Sequence, residues 1–192
     1  MNMFQLLEKT VEKYGDQTFL LRENISYSEF LYLVKLRANT LHKDGVSKGN
    51  VVGILSHNIP EFPITLFAIW YLGGKCLLLD TNLTPLEYTN MTNLTDCKFV
   101  YGEKKLFFKT DDFKFFDICV KDKEINNNLK PEFIEAFDIA TLSFTSGSTG
   151  TPKIVPLTHF NLIECSNSLE SMNKWIKPGD IMYGFLPMYH VF

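Results

Sequence analysis

Residues 51–79, VVGILSHNIPEFPITLFAIWYLGGKCLLL, carry the pattern that sets the fold class. Val51-Val52-Gly53-Ile54-Leu55 is a short unbroken apolar run, as expected of a strand buried on both faces of a parallel sheet. Asn58 and Glu61 stand three apart, the spacing of a capping box, ahead of an apolar helix that runs to Leu72 and ends at Gly73-Gly74. Cys76-Leu77-Leu78-Leu79 then returns as a second strand, completing a βαβ unit. Pro63 takes an early ladder bond from the helix, so a kink or a local 3₁₀ turn is expected there.

The same alternation continues on both sides. Upstream, a first helix is expected over Phe4 to Tyr14, stopped by Gly15 in a left-handed C-cap, and Thr18 to Leu21 reads as a short strand. Ser26 and Glu29 form a capping box, followed by Phe30, Leu33, Val34, Ala38 and Leu41 at helical spacing until Gly45. Downstream, Thr84-Pro85-Leu86-Glu87 supplies cap, N1 proline and N3 glutamate for another helix, and Lys98-Phe99-Val100-Tyr101 offers the next strand. Residues 102–137 read as an edge strand or two and a polar surface loop. The lysines and phenylalanines of Lys104 to Lys109 and Phe113 to Phe116 resemble the cation and aromatic mixture of a single-strand nucleic-acid platform. A half-buried strand with solvated lysines is the reading that the acidic balance favours. Strand and helix in alternation predict an α/β fold, a mostly parallel doubly wound sheet flanked by helices.

Composition bounds the rest. A chain of 192 residues suits one domain, or one plus a fragment, and 45% hydrophobic with 21% charged residues describes a protein that must build a core. Nineteen Lys plus Arg against 22 Asp plus Glu leave a net charge of -3, which argues against an electrostatic grip on nucleic acid. Any phosphate ligand must therefore be held locally. Cys76, Cys97, Cys119 and Cys165 lie far apart without zinc spacing and read as buried reduced thiols. The first residues lack a secretory signal, so a cytoplasmic location is expected. The most apolar stretch, Phe62 to Leu79, is interrupted by Pro63, Thr65, Gly73, Gly74 and Lys75, and no transmembrane segment is expected.

The chemistry concentrates near residue 150. The strand-like run Ala140-Thr141-Leu142-Ser143-Phe144 leads into Thr145-Ser146-Gly147-Ser148-Thr149-Gly150-Thr151-Pro152-Lys153, and Ile154-Val155-Pro156-Leu157 follows as a second apolar run. Glycines let backbone N–H groups converge into an anion-binding concavity, the hydroxyls add donors and Lys153 adds a positive charge. Each hydrogen bond to a charged oxygen contributes roughly 1.5–3 kcal/mol, so three or four would retain a polyphosphate. A Walker A loop is excluded, because Lys153 follows Pro152 and precedes Ile154 instead of standing between glycine and a hydroxyl. A flexible linker is the plain alternative, but a Pro-Lys pair between two apolar strands is unusual for one. Among the histidines, His42 and His57 read as surface or capping residues, and His159, after the N-cap Thr158 of a helix from Phe160 to about Trp175, reads as structural. His190 on residues alone reads as an aromatic-lined histidine satisfied by backbone.

Phe144 to Lys153, with Leu157-Thr158-His159, resembles the phosphate-loop signature of the adenylate-forming (AMP-binding) superfamily, which contains acyl-CoA synthetases, peptide-synthetase adenylation domains and luciferases. Leu186-Pro187-Met188-Tyr189-His190-Val191-Phe192 resembles the next motif of the acyl-CoA synthetase branch, and further echoes begin at Ser26, Val51, Asn58 and Leu83. The resemblance implies a two-step ligase that activates a carboxylic, expectedly fatty, acid with ATP and Mg2+ and passes it to coenzyme A. It assigns Thr145, Ser146, Gly147, Ser148, Thr149, Gly150 and Lys153 to the ATP phosphates, and Lys153 and His190 to the catalytic set. It leaves the metal ligands unassigned.

Ile154 departs from the family pattern, which has glycine there, and a branched side chain would reshape the loop if that position needed glycine-only dihedrals. The chain closes at Phe192 inside an apolar motif, which leads to the expectation that residues 1–192 are the N-terminal part of an AMP-binding domain. The rest of the large domain and the C-terminal cap domain would then be absent, supplied by a second chain or a longer frame. The competing expectation is a non-catalytic remnant that serves as a nucleotide-binding or protein-interaction module.

Overall fold

In the computed structural model, residues 1–121, 126, 128–145, 153–172, 177 and 179–190 are described. The loop residues Ser146, Gly147, Ser148, Thr149 and Gly150 fall outside them. The βαβ reading of residues 51–79 is realised as β3 (Val51–Leu55), α3 (Glu61–Tyr71) and β4 (Lys75–Leu78), with β3 and β4 parallel and Val52 opposite Cys76. Before them come α1 (Met3–Tyr14), the short antiparallel pair β1 (Thr18–Leu20) and β2 (Ile25–Ser26), and α2 (Tyr27–Lys43). After them follow α4 (Pro85–Leu94), β5 (Phe99–Gly102), a 3₁₀ turn over Lys104–Leu106, β6 (Lys114–Asp117), β7 (Ile139–Thr145), β8 (Lys153–Thr158) and α5 (His159–Met172). Six strands form one sheet in the order β6-β5-β3-β4-β7-β8, parallel throughout except for β8, which runs antiparallel to β7. The expected mostly parallel sheet flanked by helices is what forms. β8 closes an edge, which is why Pro156 is tolerated inside it.

Alternating residues divide the core between two faces. Val52, Ile54, Cys76 and Leu78 pack with Phe30, Phe62 and Ile69 of α2 and α3. Leu55, Leu77, Leu79 and Val100 pack with Tyr88 and Met91 of α4. Two ties cross between layers: Trp70 Nε1 donates to Ala140 O at 2.9 Å, fixing α3 to β7, and the buried Arg37 donates to Thr65 Oγ1, Ile118 O and Val120 O. The guanidinium thus satisfies the carbonyl of buried Ile118 and also ties down exposed Val120 in the turn after β6.

Several local expectations change. The capping boxes at Ser26 and Thr84 form as read. Gly15 does not take the left-handed cap: its backbone is right-handed, φ -51 and ψ -39, and glycine is needed because a Cβ would lie 2.5 Å from Ser28 Oγ and 2.8 Å from Val11 O. Asn58 does not cap α3 either. That helix starts at Glu61 with Pro60 as its N-cap residue and no side-chain cap. Pro63 consequently sits in the first turn, where a backbone N–H would have no ladder partner, so its lack of one breaks no bond, and α3 is α-helical throughout. Cys76 and Cys97 are buried, whereas Cys119, on the turn after β6, and Cys165, on the outer side of α5, are exposed; all four are free thiols. Ile154 lies inside β8 opposite Phe144 and packs at the margin of the α4 core, in extended backbone that any residue adopts. Among the described residues, no helix is long and apolar enough to cross a membrane.

Candidate functional site

In an open parallel sheet, ligands bind beyond the carboxyl ends of the strands, where successive connections leave toward opposite faces. Here that point lies between β3 and β4: the turn after β3 leads to α3 on one face, and the turn after β4 leads to α4 on the other. The segment 184–190 occupies it. Asn58, in the β3–α3 turn, donates through Nδ2 to Gly184 O at 3.1 Å and Leu186 O at 2.8 Å, and its Oδ1 accepts from the Met188 N–H at 2.9 Å. Tyr189 is buried, with its hydroxyl 3.5 Å from Thr81 Oγ1 and 3.4 Å from Asn82 Nδ2 of the β4–α4 turn. His190 donates its backbone N–H to Pro187 O at 3.1 Å and directs Nε2 toward Asp80 Oδ2 at 3.7 Å.

Asp80 is itself held. Its Oδ1 accepts from the backbone and side chain of Asn82, and its carbonyl accepts the Tyr88 hydroxyl. Burial, then the charge of Asp80, raises the Tyr88 phenol above its ordinary range, so it remains a donor.

The next strands carry the ends of the hydroxyl- and glycine-rich loop. Thr145 and Lys153 are directly opposite each other in the β7–β8 pair, so both side chains emerge on one face, and both residues are exposed. The β4–β7 register sets Cys76 against Thr141 and Leu77 against Leu142; continued, it brings Asp80 level with Thr145. Adjacent strands are about 4.8 Å apart, so the His190 segment, Thr145 and Lys153 sit over three consecutive strands at the same edge. The loop between them, Ser146 to Gly150, lies outside the described residues. On the same side of β7, Thr141 Oγ1 and Ser143 Oγ are buried without a hydrogen-bond partner among the described residues.

One strand further, Glu103 at the end of β5 holds the β3–α3 turn. Its Oε1 accepts from the His57 N–H at 2.8 Å and contacts His57 Nδ1 at 2.6 Å, and its Oε2 meets Lys105 Nζ at 2.8 Å. Burial pushes this carboxyl upward, but the hydrogen bonds from Lys105 and from the His57 backbone and ring outweigh it and hold the group at about 2. His57, read as a surface or capping residue, is exposed as read and in addition pairs its ring with the Glu103 carboxylate. His159 matches its structural reading. It is fully buried, Nδ1 accepts from the Met3 N–H at 3.3 Å, and burial lowers it to about 4. Residues 58, 80 and 103 are not legible as site residues in the sequence, because the contacts that place them at the site, to 184–188, His190 and His57, lie far away along the chain.

At this edge the Lys153 ammonium and the Thr145 hydroxyl, both exposed, are groups that suit the phosphates of ATP. Among the described residues no group of three His, Cys, Asp or Glu side chains converges to hold a metal ion by itself.

Known proteins share both the sequence pattern and the fold. The family model described as AMP-binding enzyme matches residues 7–192. A 4-coumarate–CoA ligase of Nicotiana tabacum is 28% identical over 171 residues, which are 79% of this chain and 32% of the relative. A 2-succinylbenzoate–CoA ligase of Oceanobacillus iheyensis is 30% identical over 179 residues, 88% of this chain and 35% of its own length. The o-succinylbenzoate CoA synthetase of Bacillus subtilis, bound to a product analogue, superposes with a TM-score of 0.89 at 24% identity over 99% of this chain and 40% of that one. The same synthetase is also known in complex with ATP and magnesium. The chain thus spans about a third of the length of the curated relatives it matches.

Proposed function

The chain belongs to the AMP-binding enzyme family, and from that premise we propose that residues 1–192 form the N-terminal part of an adenylation domain that activates a carboxylic acid. In the first half-reaction the acid's carboxylate attacks the α-phosphorus of ATP, forming the acyl–AMP anhydride as the bond to pyrophosphate breaks. In the second, a thiolate, read as that of coenzyme A, attacks the acyl carbon and AMP leaves. No protein nucleophile is needed, so this chain's contribution is positioning and electrostatics. Thr145, Lys153 and the loop from Ser146 to Gly150 hold the β- and γ-phosphates, and Lys153 offsets charge on the departing pyrophosphate. His190, steadied by Asp80, lines the place of the reacting carboxylate. Magnesium, when bound with ATP, would screen phosphate charge.

The observation that carries the reading is the pairing of Thr145 with Lys153 at the carboxyl edge beside the Asp80–His190 contact. The sequence reading favours a fatty acid, but the relatives are named for 4-coumarate and 2-succinylbenzoate, which favours an aromatic carboxylate. Free thiols support a cytoplasmic setting. The test joins residues 1–192 to the sequence that relatives carry beyond the matched segment and measures acid-stimulated ATP–pyrophosphate exchange over a panel of aromatic and fatty acids. Exchange is expected with an aromatic acid, falling at least tenfold in Lys153→Ala. Absence of exchange with every acid overturns the reading.

A second reading, a protein-interaction module, is favoured by one observation: Ile181, Met182, Tyr183 and Phe185 are 67–87% exposed within a five-residue stretch. Its occupant would be a polypeptide equivalent to the two thirds of the relatives that this chain does not span. Co-expression with that portion should yield a stable complex, and separate elution argues against it.

A further inference from the structure

We infer that Asn58 is a positioning residue for His190, and that Glu103 fixes the turn from which Asn58 acts. Asn58 sits where a helix cap would be expected, but its side chain is engaged elsewhere. Both amide hydrogens go to the carbonyls of Gly184 and Leu186, and the amide oxygen takes the Met188 N–H. Three bonds of opposite polarity from one planar group define the position and orientation of the segment they meet. From Met188 the chain reaches His190 in two residues, within a turn closed by the bond from the His190 N–H to Pro187 O. The position of the imidazole is therefore set from the β3–α3 turn as well as from Asp80. That turn is anchored in its own right: Glu103 Oε1 takes the His57 N–H, one residue before Asn58, and the Ser56 hydroxyl lies 3.4 Å from the same oxygen. Tyr189 supplies the remaining hold, and it is mainly apolar. Without Asn58 the segment would stay docked through Tyr189 but lose the polar register that aims His190.

The role assigned to His190 rests on the reading in the previous subsection; the clamp itself does not, and the experiment separates them. Amide hydrogen exchange is measured on the full chain as wild type, Asn58→Ala and Asn58→Asp. In Asn58→Ala, the Met188 amide and the peptide spanning 184–190 are expected to exchange at least tenfold faster, while the first turn of α3 is unchanged. Asn58→Asp keeps the acceptor for Met188 but loses both donated bonds, and should fall between the two. Loss of protection in the first turn of α3 with 184–190 unaffected, or no change anywhere, overturns the inference. In the joined polypeptide Asn58→Ala should lose kcat at least tenfold for pyrophosphate exchange and Asn58→Asp less, with KM for ATP within twofold in both. Wild-type protein that shows no exchange refutes the functional reading, while the hydrogen-exchange rates still decide whether Asn58 clamps the segment.

Discussion

His159 shows how one side chain can set a pH limit on the whole fold. It is fully buried at the start of α5, edge-on to Trp70, with Nδ1 accepting from Met3 and Nε2 unpartnered among the described residues, and burial lowers it to about 4. In the unfolded chain a histidine titrates near 6.5, so between about 6.5 and 4 the unfolded state binds more protons than the native one. Stability from this group is complete above pH 6.5 and is lost as pH falls toward 4, by on the order of 3 kcal/mol. His159→Asn, which keeps an acceptor near Met3 but cannot titrate, should cost about 1–3 kcal/mol at pH 7 and flatten the slope of stability between pH 4 and 6.5. Denaturant titrations at pH 7, 5.5 and 4.5 check this, and an unchanged slope sinks it. The structural role of His159 is legible in the sequence because it directly follows Thr158, a local N-cap whose hydroxyl accepts from the Asn161 N–H. That of Asn58 is not, because Asn-x-x-Glu reads as a cap until its partners, 126 to 130 residues away, are known.

Among the elements, the sequence is readable wherever period and cap agree. β3 and β4 fall in the short apolar runs Val51 to Leu55 and Cys76 to Leu79, β7 alternates Ala140, Leu142 and Phe144 with hydroxyl residues, and α2 and α4 open on capping boxes, so their type and place follow directly. What period and cap do not encode is how closely elements approach. Gly15 reads as a left-handed cap because glycine after a helix is common there. In the structure the end of α1 meets the start of α2, with the Ser28 N–H donating to Gly15 O at 3.0 Å, and a Cβ has no room. The two accounts differ measurably. A left-handed site would tolerate Asn better than Ala, whereas a close approach rejects both and the larger residue more. Gly15→Ala is expected to destabilise by about 1–3 kcal/mol, with Gly15→Asn worse, as measured by thermal or urea unfolding. Asn outperforming Ala would restore the left-handed reading.

At the scale of the molecule, the carboxyl edge is assembled from residues 58, 80, 145, 153 and 190, which only the completed sheet brings together. A ligand bound there should therefore stabilise the fold as a unit, by about 2.7 kcal/mol when present at a hundred times its Kd. For a domain of this size each kcal/mol moves Tm by roughly 2–4 °C, so a rise of about 5–10 °C is expected. The pattern across ligands carries more information than the size of the shift. If Thr145, Lys153 and the loop between them hold the β- and γ-phosphates, then ATP and inorganic pyrophosphate should both raise Tm, while adenosine and AMP, which lack those groups, should not. Lys153→Ala should abolish most of the response to ATP and pyrophosphate together, since both lose the same ammonium, and leave the unliganded Tm within about 1 °C because the residue is exposed. A shift with AMP equal to that with ATP would place recognition on the nucleoside instead of the phosphate tail. It would remove the physical basis for assigning the hydroxyl- and glycine-rich loop to the leaving pyrophosphate.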